Sequence, residues 1–192
     1  MHRTRILCSS LVALFMVASS WAFDKDVVHA VAGAVTKVDA AARTIAIKTA
    51  DGAEEVFKFT EKTTVTAAKA VAGGAKTAGV ATYMAGKEGT HVVVRYVAKG
   101  GEKTAVGVKD FGKDALKASK GTVTKVDKAG RTVAIKTEDG AEETFHVSKD
   151  AAVDTEHGVV DGAKYTAKEG DKVVVHYGEE AGDKVVHFVK KI

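Results

Sequence analysis

The sequence predicts an all-β chain built as two tandem small barrels, OB-like or SH3-like. Each has five to six strands and a short helical or loop insertion. The first observation behind this is a stretch that occurs twice. Residues 33–57 and 121–145 match at 19 of 25 positions with a constant offset of 88. That spacing is too long for a stacked solenoid repeat and fits duplication of a small domain. The second is alternation: Ile45 and Ile47 in the first copy, and Val133 and Ile135 in the second, recur at the period of a half-buried strand. The third is turn chemistry, Asp51-Gly52 and Asp139-Gly140, where glycine supplies a positive φ at no steric cost.

In chain order, Gly33 to Asp39, Thr44 to Thr49 and Glu54 to Phe59 read as three antiparallel strands of a meander. Residues 60–89 interrupt the pattern, and Gly73, Gly74 and Gly79 restrict any helix there to one or two turns. His91 to Tyr96 and Lys103 to Lys109 complete the first unit. The second repeats the scheme with strands at 121–127, 131–137, 142–147, 171–177 and 184–190. Its inward positions are Val133, Ile135, Phe145, Val147, Val173, Val175, Tyr177 and Phe188. Closing each set of strands into a barrel removes the exposed edges. The domain plan is therefore a signal peptide at 1–22, a lead-in at 23–32, a first barrel at 33–109, a linker at 110–120 and a second barrel at 121–192.

The signal peptide is read from a basic head with Arg3 and Arg5, an apolar run from Ile6 to Val17, and small residues before Phe23. The run is too short to span a bilayer, which takes about 20 residues. A periplasmic or secreted protein with no stable membrane insertion after cleavage is expected. Cleavage removes Cys8, the only cysteine, so disulfides, thiol nucleophiles and thiolate metal sites are excluded from the remainder. It also lowers the formal charge from +4 to +2. The balance is uneven, with 12 Lys/Arg against 7 Asp/Glu in residues 33–109 and 11 against 14 in residues 121–192. Opposite signs favour docking of one unit on the other, within a chain or between chains.

The motifs Gly-x-Val-Thr-x-Val-Asp, Arg-Thr-φ-x-φ (φ apolar) and Glu169-Gly170-Asp171 before Val173 resemble those of a family of bacterial secreted small β-barrel (OB-like) domains. The resemblance covers nearly all of both repeats. It implies the barrel and no chemistry, because its positions are turn glycines and core valines. The outline is also similar to the periplasmic copper-efflux chaperone barrel, which binds metal through histidine, methionine and tryptophan. Here Met84 is the only methionine left after cleavage, and no tryptophan remains.

Histidine is the best remaining ligand type. A four-residue loop at 179–182 would place His176 opposite Val185, with His187 its diagonal neighbour on the same face. With a carboxylate, this pair is a candidate site for Zn²⁺ or Cu²⁺. The doublets Glu54-Glu55 and Glu142-Glu143 put successive carboxylates on opposite faces, so neither converges on a substrate. Asp39 with Arg43, and Asp127 with Arg131, flank a turn and read as local ion pairs or turn hydrogen bonds. The strand faces that bind nucleic acid in OB barrels lack a stacking aromatic here, so a nucleic-acid partner is not expected. No nucleophile elbow, phosphate loop or zincin helix is present, and no cofactor is implied. The expectation is a non-catalytic binding or interaction module of the cell envelope, its partner an envelope protein or small ligand. Its contacts would come from barrel surfaces and the segments 66–86 and 151–167. Periplasmic metal binding through the second-domain histidines is the alternative.

Overall fold

Apolar residues at period two, separated by glycine turns, fold here into strands. The computed structural model describes residues 26–67, 79–113, 116–164 and 167–192. The signal-peptide segment lies outside the described residues, as does most of the Ala/Gly-rich stretch after Ala67.

The first unit comprises β1 (Val28–Asp39), β2 (Thr44–Thr49), β3 (Glu54–Ala67), α1 (Val80–Met84), β4 (His91–Lys99) and β5 (Glu102–Gly112). These strands close into a barrel in the order β1-β2-β3-β5-β4. The pairings are antiparallel except β3 with β5, which is parallel. This is the order of an OB-type barrel, which settles the topology against the SH3-like alternative. The second unit comprises β6 (Lys117–Asp127), β7 (Thr132–Thr137), β8 (Glu142–Thr155), β9 (Gly158–Asp161), β10 (Lys172–Glu180) and β11 (Asp183–Lys191). It closes by the same pairings, with β8 and β11 parallel. A short hairpin partner, β9, extends from β8.

The strands outrun their expected bounds. β1 begins at Val28, inside the expected lead-in, because Val28 to Gly33 pair with β4. β5 runs to Gly112 and β6 starts at Lys117, so most of the expected linker is strand.

The repeated motifs have geometric causes. A Cβ on Gly33 would lie 2.6 Å from the Lys48 carbonyl oxygen, and one on Gly121 would lie 2.4 Å from that of Lys136. Glycine is required because a neighbouring backbone occupies the side-chain position. In the Asp-Gly turns only glycine takes the positive φ, 86° at Gly52 and 87° at Gly140. The aspartates instead accept the hydroxyl hydrogens of Thr49 and Thr137.

Each barrel has its own core. Ile45, Ile47, Phe57, Val92 and Val94 fill the first, with Val80 and Met84 from α1. Val133, Ile135, Phe145, Val147, Val173, Val175 and Tyr177 lie in the second as expected. Phe188 does not. It is buried, but against the first barrel, in a third cluster with Ala30, Ala32, Val93, Phe111, Leu116 and Ala152. The cause is a β-bulge. Tyr177 pairs with Val186, but His176 pairs with Phe188, so His187 is an extra residue. It breaks the alternation and turns both His187 and Phe188 outward. The first copy carries the same irregularity, where Tyr96 pairs with Ala105 and Arg95 with Gly107, leaving Val106 extra.

Candidate functional site: the seam between the barrels

Chain pairing leaves one edge of β1 open. Residues 28–32 pair with β4, whereas β2 engages only from Gly33 onward. Open edges must be covered, and Asp154 of β8 does this. Its Oδ1 accepts the Ala30 backbone N–H at 3.3 Å and lies 3.1 Å from Nδ1 of His29. Two ion pairs flank the contact, Arg95 to Asp161 at 3.2 Å and Lys109 to Asp150 at 2.5 Å. In both ion pairs the cation comes from the first barrel and the carboxylate from β8 or β9 of the second. The opposite charge balances of the two copies thus meet at a docking surface within one chain. Part of the segment 151–167, expected to make outside contacts, is used inside the molecule, through Asp154 and Asp161.

Docking creates two clefts on either side of Phe188. The larger, about 400 Å³, is lined by Thr64, Thr66, Arg95 and Lys109 of the first barrel and by Asp150, Ala152 and His187 of the second. The smaller, about 240 Å³, is lined by Gly33, Lys48 and His91 with Leu116, Ala118 and His176. Pockets of this kind concentrate at domain interfaces because two surfaces supply convergent polar groups there.

The electrostatics differ between the clefts. Burial would raise the Asp150 carboxyl, but the Lys109 ammonium and the Ser148 hydroxyl outweigh it and hold it at about 2. It stays ionised throughout the physiological range. Burial pushes His176 down to about 4, and the neighbouring His91 and Lys190 push the same way. His187 is lowered by burial and by Lys109, against the opposing pull of Glu180 and Asp150. His91 is lowered by burial. Three imidazoles at the seam are therefore neutral at pH 7. Nδ1 of His187 is buried with no hydrogen-bond partner among the described residues, while its Nε2 lies 3.3 Å from Oε1 of Glu180.

The histidine pair takes a different geometry from the expected one. The hairpin loop has two residues, Ala181 and Gly182, both at positive φ, and Glu180 pairs with Asp183. The shorter loop and the bulge at His187 together make His176 face Phe188, ring centroids 5.4 Å apart, in place of Val185. The His187 ring packs against Phe111 of the first barrel, centroids 4.9 Å apart and planes tilted by 47°. Both face outward, yet they line separate clefts. Among the described residues, no group of three or more His, Cys, Asp or Glu side chains could hold a metal. Met84 is fully buried in the first core.

The carboxylate doublets divide between faces as expected. Glu54 accepts from Thr36, while Glu55 pairs with Lys103 at 2.8 Å. Glu142 accepts from Thr124, while Glu143 pairs with Lys184 at 2.5 Å. Each lysine also lies over two core rings, Phe57 and Tyr96 for Lys103, and Phe145 and Tyr177 for Lys184. The same cap closes both barrels. Asp39 and Asp127 make turn hydrogen bonds, accepting the N–H groups of Ala42 and of Ala129 and Gly130.

Sequence reasoning missed His91, Arg95 and Lys109 as site residues. The signal available was the charge difference between the copies, which pointed to docking and not to the residues that carry it.

No protein-family model matches the sequence, and no curated protein sequence matches it. Among solved structures, the chain is similar to apo-CusF residues 6–88 from Escherichia coli at 13% identity and TM-score 0.31, covering 39% of this chain and 84% of that one. It is similar to Ag(I)CusF at 13% identity and TM-score 0.32, covering 40% and 97%. CusF-Ag(I) residues 10–88 from Escherichia coli matches at 13% identity and TM-score 0.31, covering 41% and 95%. The matched share of this chain is about the length of one barrel.

Proposed function

We propose that the protein is a non-catalytic binding module of the cell envelope, periplasmic or secreted, that binds its ligand or partner in the larger cleft between the barrels. One observation carries this reading: Thr64, Thr66, Arg95 and Lys109 of one barrel converge with Asp150 and His187 of the other around about 400 Å³. Neither barrel alone has this surface. The basic side chains are already held in place by carboxylates, so the cleft is organised before binding and loses little entropy on it. No helix among the described residues is long and apolar enough to cross a membrane.

The test is site-specific photocrosslinking in intact cells. A photoreactive residue at Thr66 is expected to give a discrete adduct that Lys109→Glu abolishes. The same residue at Lys136, an exposed position on β7, gives none. Equal adducts at both positions would overturn the assignment.

A further inference from the structure

The smaller cleft of the seam, about 240 Å³, has an apolar floor and a rim of nitrogen groups. Strand register puts them together. On the first barrel Ala34 has Lys48 and His91 as its two cross-strand partners. On the second Ala118 lies opposite His176. Cross-strand partners share a face, so each alanine brings its polar neighbours to the same opening. The buried side chain of Leu116 completes the apolar lining.

Among the described residues, the side chains of Lys48, His91 and His176 make no hydrogen bond or ion pair, and no carboxylate lines the cleft. Asp51, one residue beyond Ala50 on the rim, is already engaged by the Thr49 hydroxyl and the Ala53 N–H. His176 is only 7% exposed although its ring lines the cleft. A polar side chain buried to that degree ordinarily has a hydrogen-bond partner. Both imidazoles are neutral at pH 7, so each keeps one N–H to donate. Neither histidine comes from the repeat. Aligning His91-Val-Val-Val-Arg95 with Lys172-Val-Val-Val-His176 puts Lys172 at the place of His91 and Arg95 at that of His176. Docking alone brings the two rings to one cleft.

We propose that this cleft binds a small aromatic monocarboxylate, its ring on Ala34, Ala118 and Leu116 and its carboxylate among Lys48, His91 and His176. At about 30 Å³ per water-sized group, the cleft holds roughly eight non-hydrogen atoms, the size of one ring with its head at the mouth. Burial of the ring on the alanine methyls is favourable. A flat ring also packs beside the His176 imidazole, whose other neighbour is Phe188 at 5.4 Å. The carboxylate accepts a charge-assisted hydrogen bond from the Lys48 ammonium and supplies the acceptor that the two imidazole N–H groups need. The site requires the docked barrels but no ligand in the larger cleft.

The test is a titration of the ¹⁵N-labelled protein with sodium benzoate at pH 7.5 and constant ionic strength, followed by amide shifts. Saturable shifts at Ala34, Thr49, His91 and Ala118 are expected. Acetate, which has no ring, and benzyl alcohol, which has no charge, should each bind about tenfold more weakly or worse. Lys48→Ala should weaken benzoate by about tenfold, and the position is exposed, so the fold survives. Ala118→Leu, also at an exposed strand position, should fill the cleft and block entry. Absence of saturation, acetate or benzyl alcohol binding as tightly as benzoate, or undiminished binding in either variant would each overturn the proposal. So would shifts confined to Thr64, Thr66 and Lys109, which would assign the anion to the larger cleft and leave the proposed function standing.

Discussion

Phe188 of β11 lies opposite His176 of β10, ring centroids 5.4 Å apart, and both point away from their own barrel toward the other. This pair sits in the middle of the seam, and the two clefts open on either side of it. The first copy has Gly107 and Arg95 at the matching places, so only the second barrel presents this ring to a neighbour.

Phe188→Ala is expected to uncouple the barrels while leaving each one folded. The ring is buried among Ala30, Ala32, Val93, Phe111 and Ala152. Losing a buried phenyl ring costs about 3 kcal/mol or more. Calorimetry should show one cooperative transition for the native protein and two for the variant. A single transition at an unchanged midpoint would contradict the packing described.

Acid should loosen the seam. His176 has a folded-state pKa of about 4, below the ordinary value of 6.5, because burial and then His91 and Lys190 oppose its charge. A depressed histidine binds its proton more readily when unfolded. The stability it contributes is therefore present above about pH 6.5 and lost as pH falls toward 4. Denaturant unfolding at pH 7.5 and 4.5 should differ by about 2 kcal/mol from this group alone. His187, lowered in the same direction, adds to the loss. Asp150, held at about 2 against an ordinary 3.8, loses the stability it contributes only below about pH 4, beneath this window. His176→Gln should flatten the profile.

Charge reversal across the seam should be reciprocal. Lys109→Glu places two carboxylates together with Asp150 and should weaken docking, and Asp150→Lys should do the same with two cations. The double variant restores an ion pair and should recover most of the loss. The native pair is part-exposed, so a coupling of about 1 kcal/mol is expected from a double-mutant cycle. A coupling of zero would show that the contact does not orient the barrels.

Gly121→Ala should destabilise the second barrel by about 2 kcal/mol or more, since the new Cβ would meet the Lys136 carbonyl oxygen at 2.4 Å. Gly33→Ala should act alike on the first. Equilibrium unfolding measures both. Substituting Gly79, where a Cβ meets nothing within 4 Å, should cost far less.

The regular strands were legible in the sequence because local alternation and Asp-Gly turns specify them within a few residues. The second-barrel core emerged from the same alternation, and Phe188 escaped it. One extra residue, His187, reverses the facing of Phe188 beside it, and nothing in Lys184-Val-Val-His-Phe188 announces a bulge. The two-residue turn at Ala181-Gly182 was missed because alanine is an unusual residue at a φ of 52°. The extension of β8 through Thr155 and the hairpin to β9 depend on the parallel pairing with β11, a long-range contact that no local pattern encodes. Docking was legible only as a sign, through the charge balances. Its residues, His29, Arg95 and Lys109 against Asp154, Asp161 and Asp150, are brought together by tertiary structure alone.

The cleft exists because the two barrels dock into one body. Backbone ¹⁵N relaxation at pH 7.5 tests this most directly. A docked body tumbles as a unit, so amides of β2 and β7 should report one rotational correlation time, that of the whole chain. Two shorter times, each appropriate to a single barrel, would show that the barrels move independently, and the cleft would then not exist as a binding site.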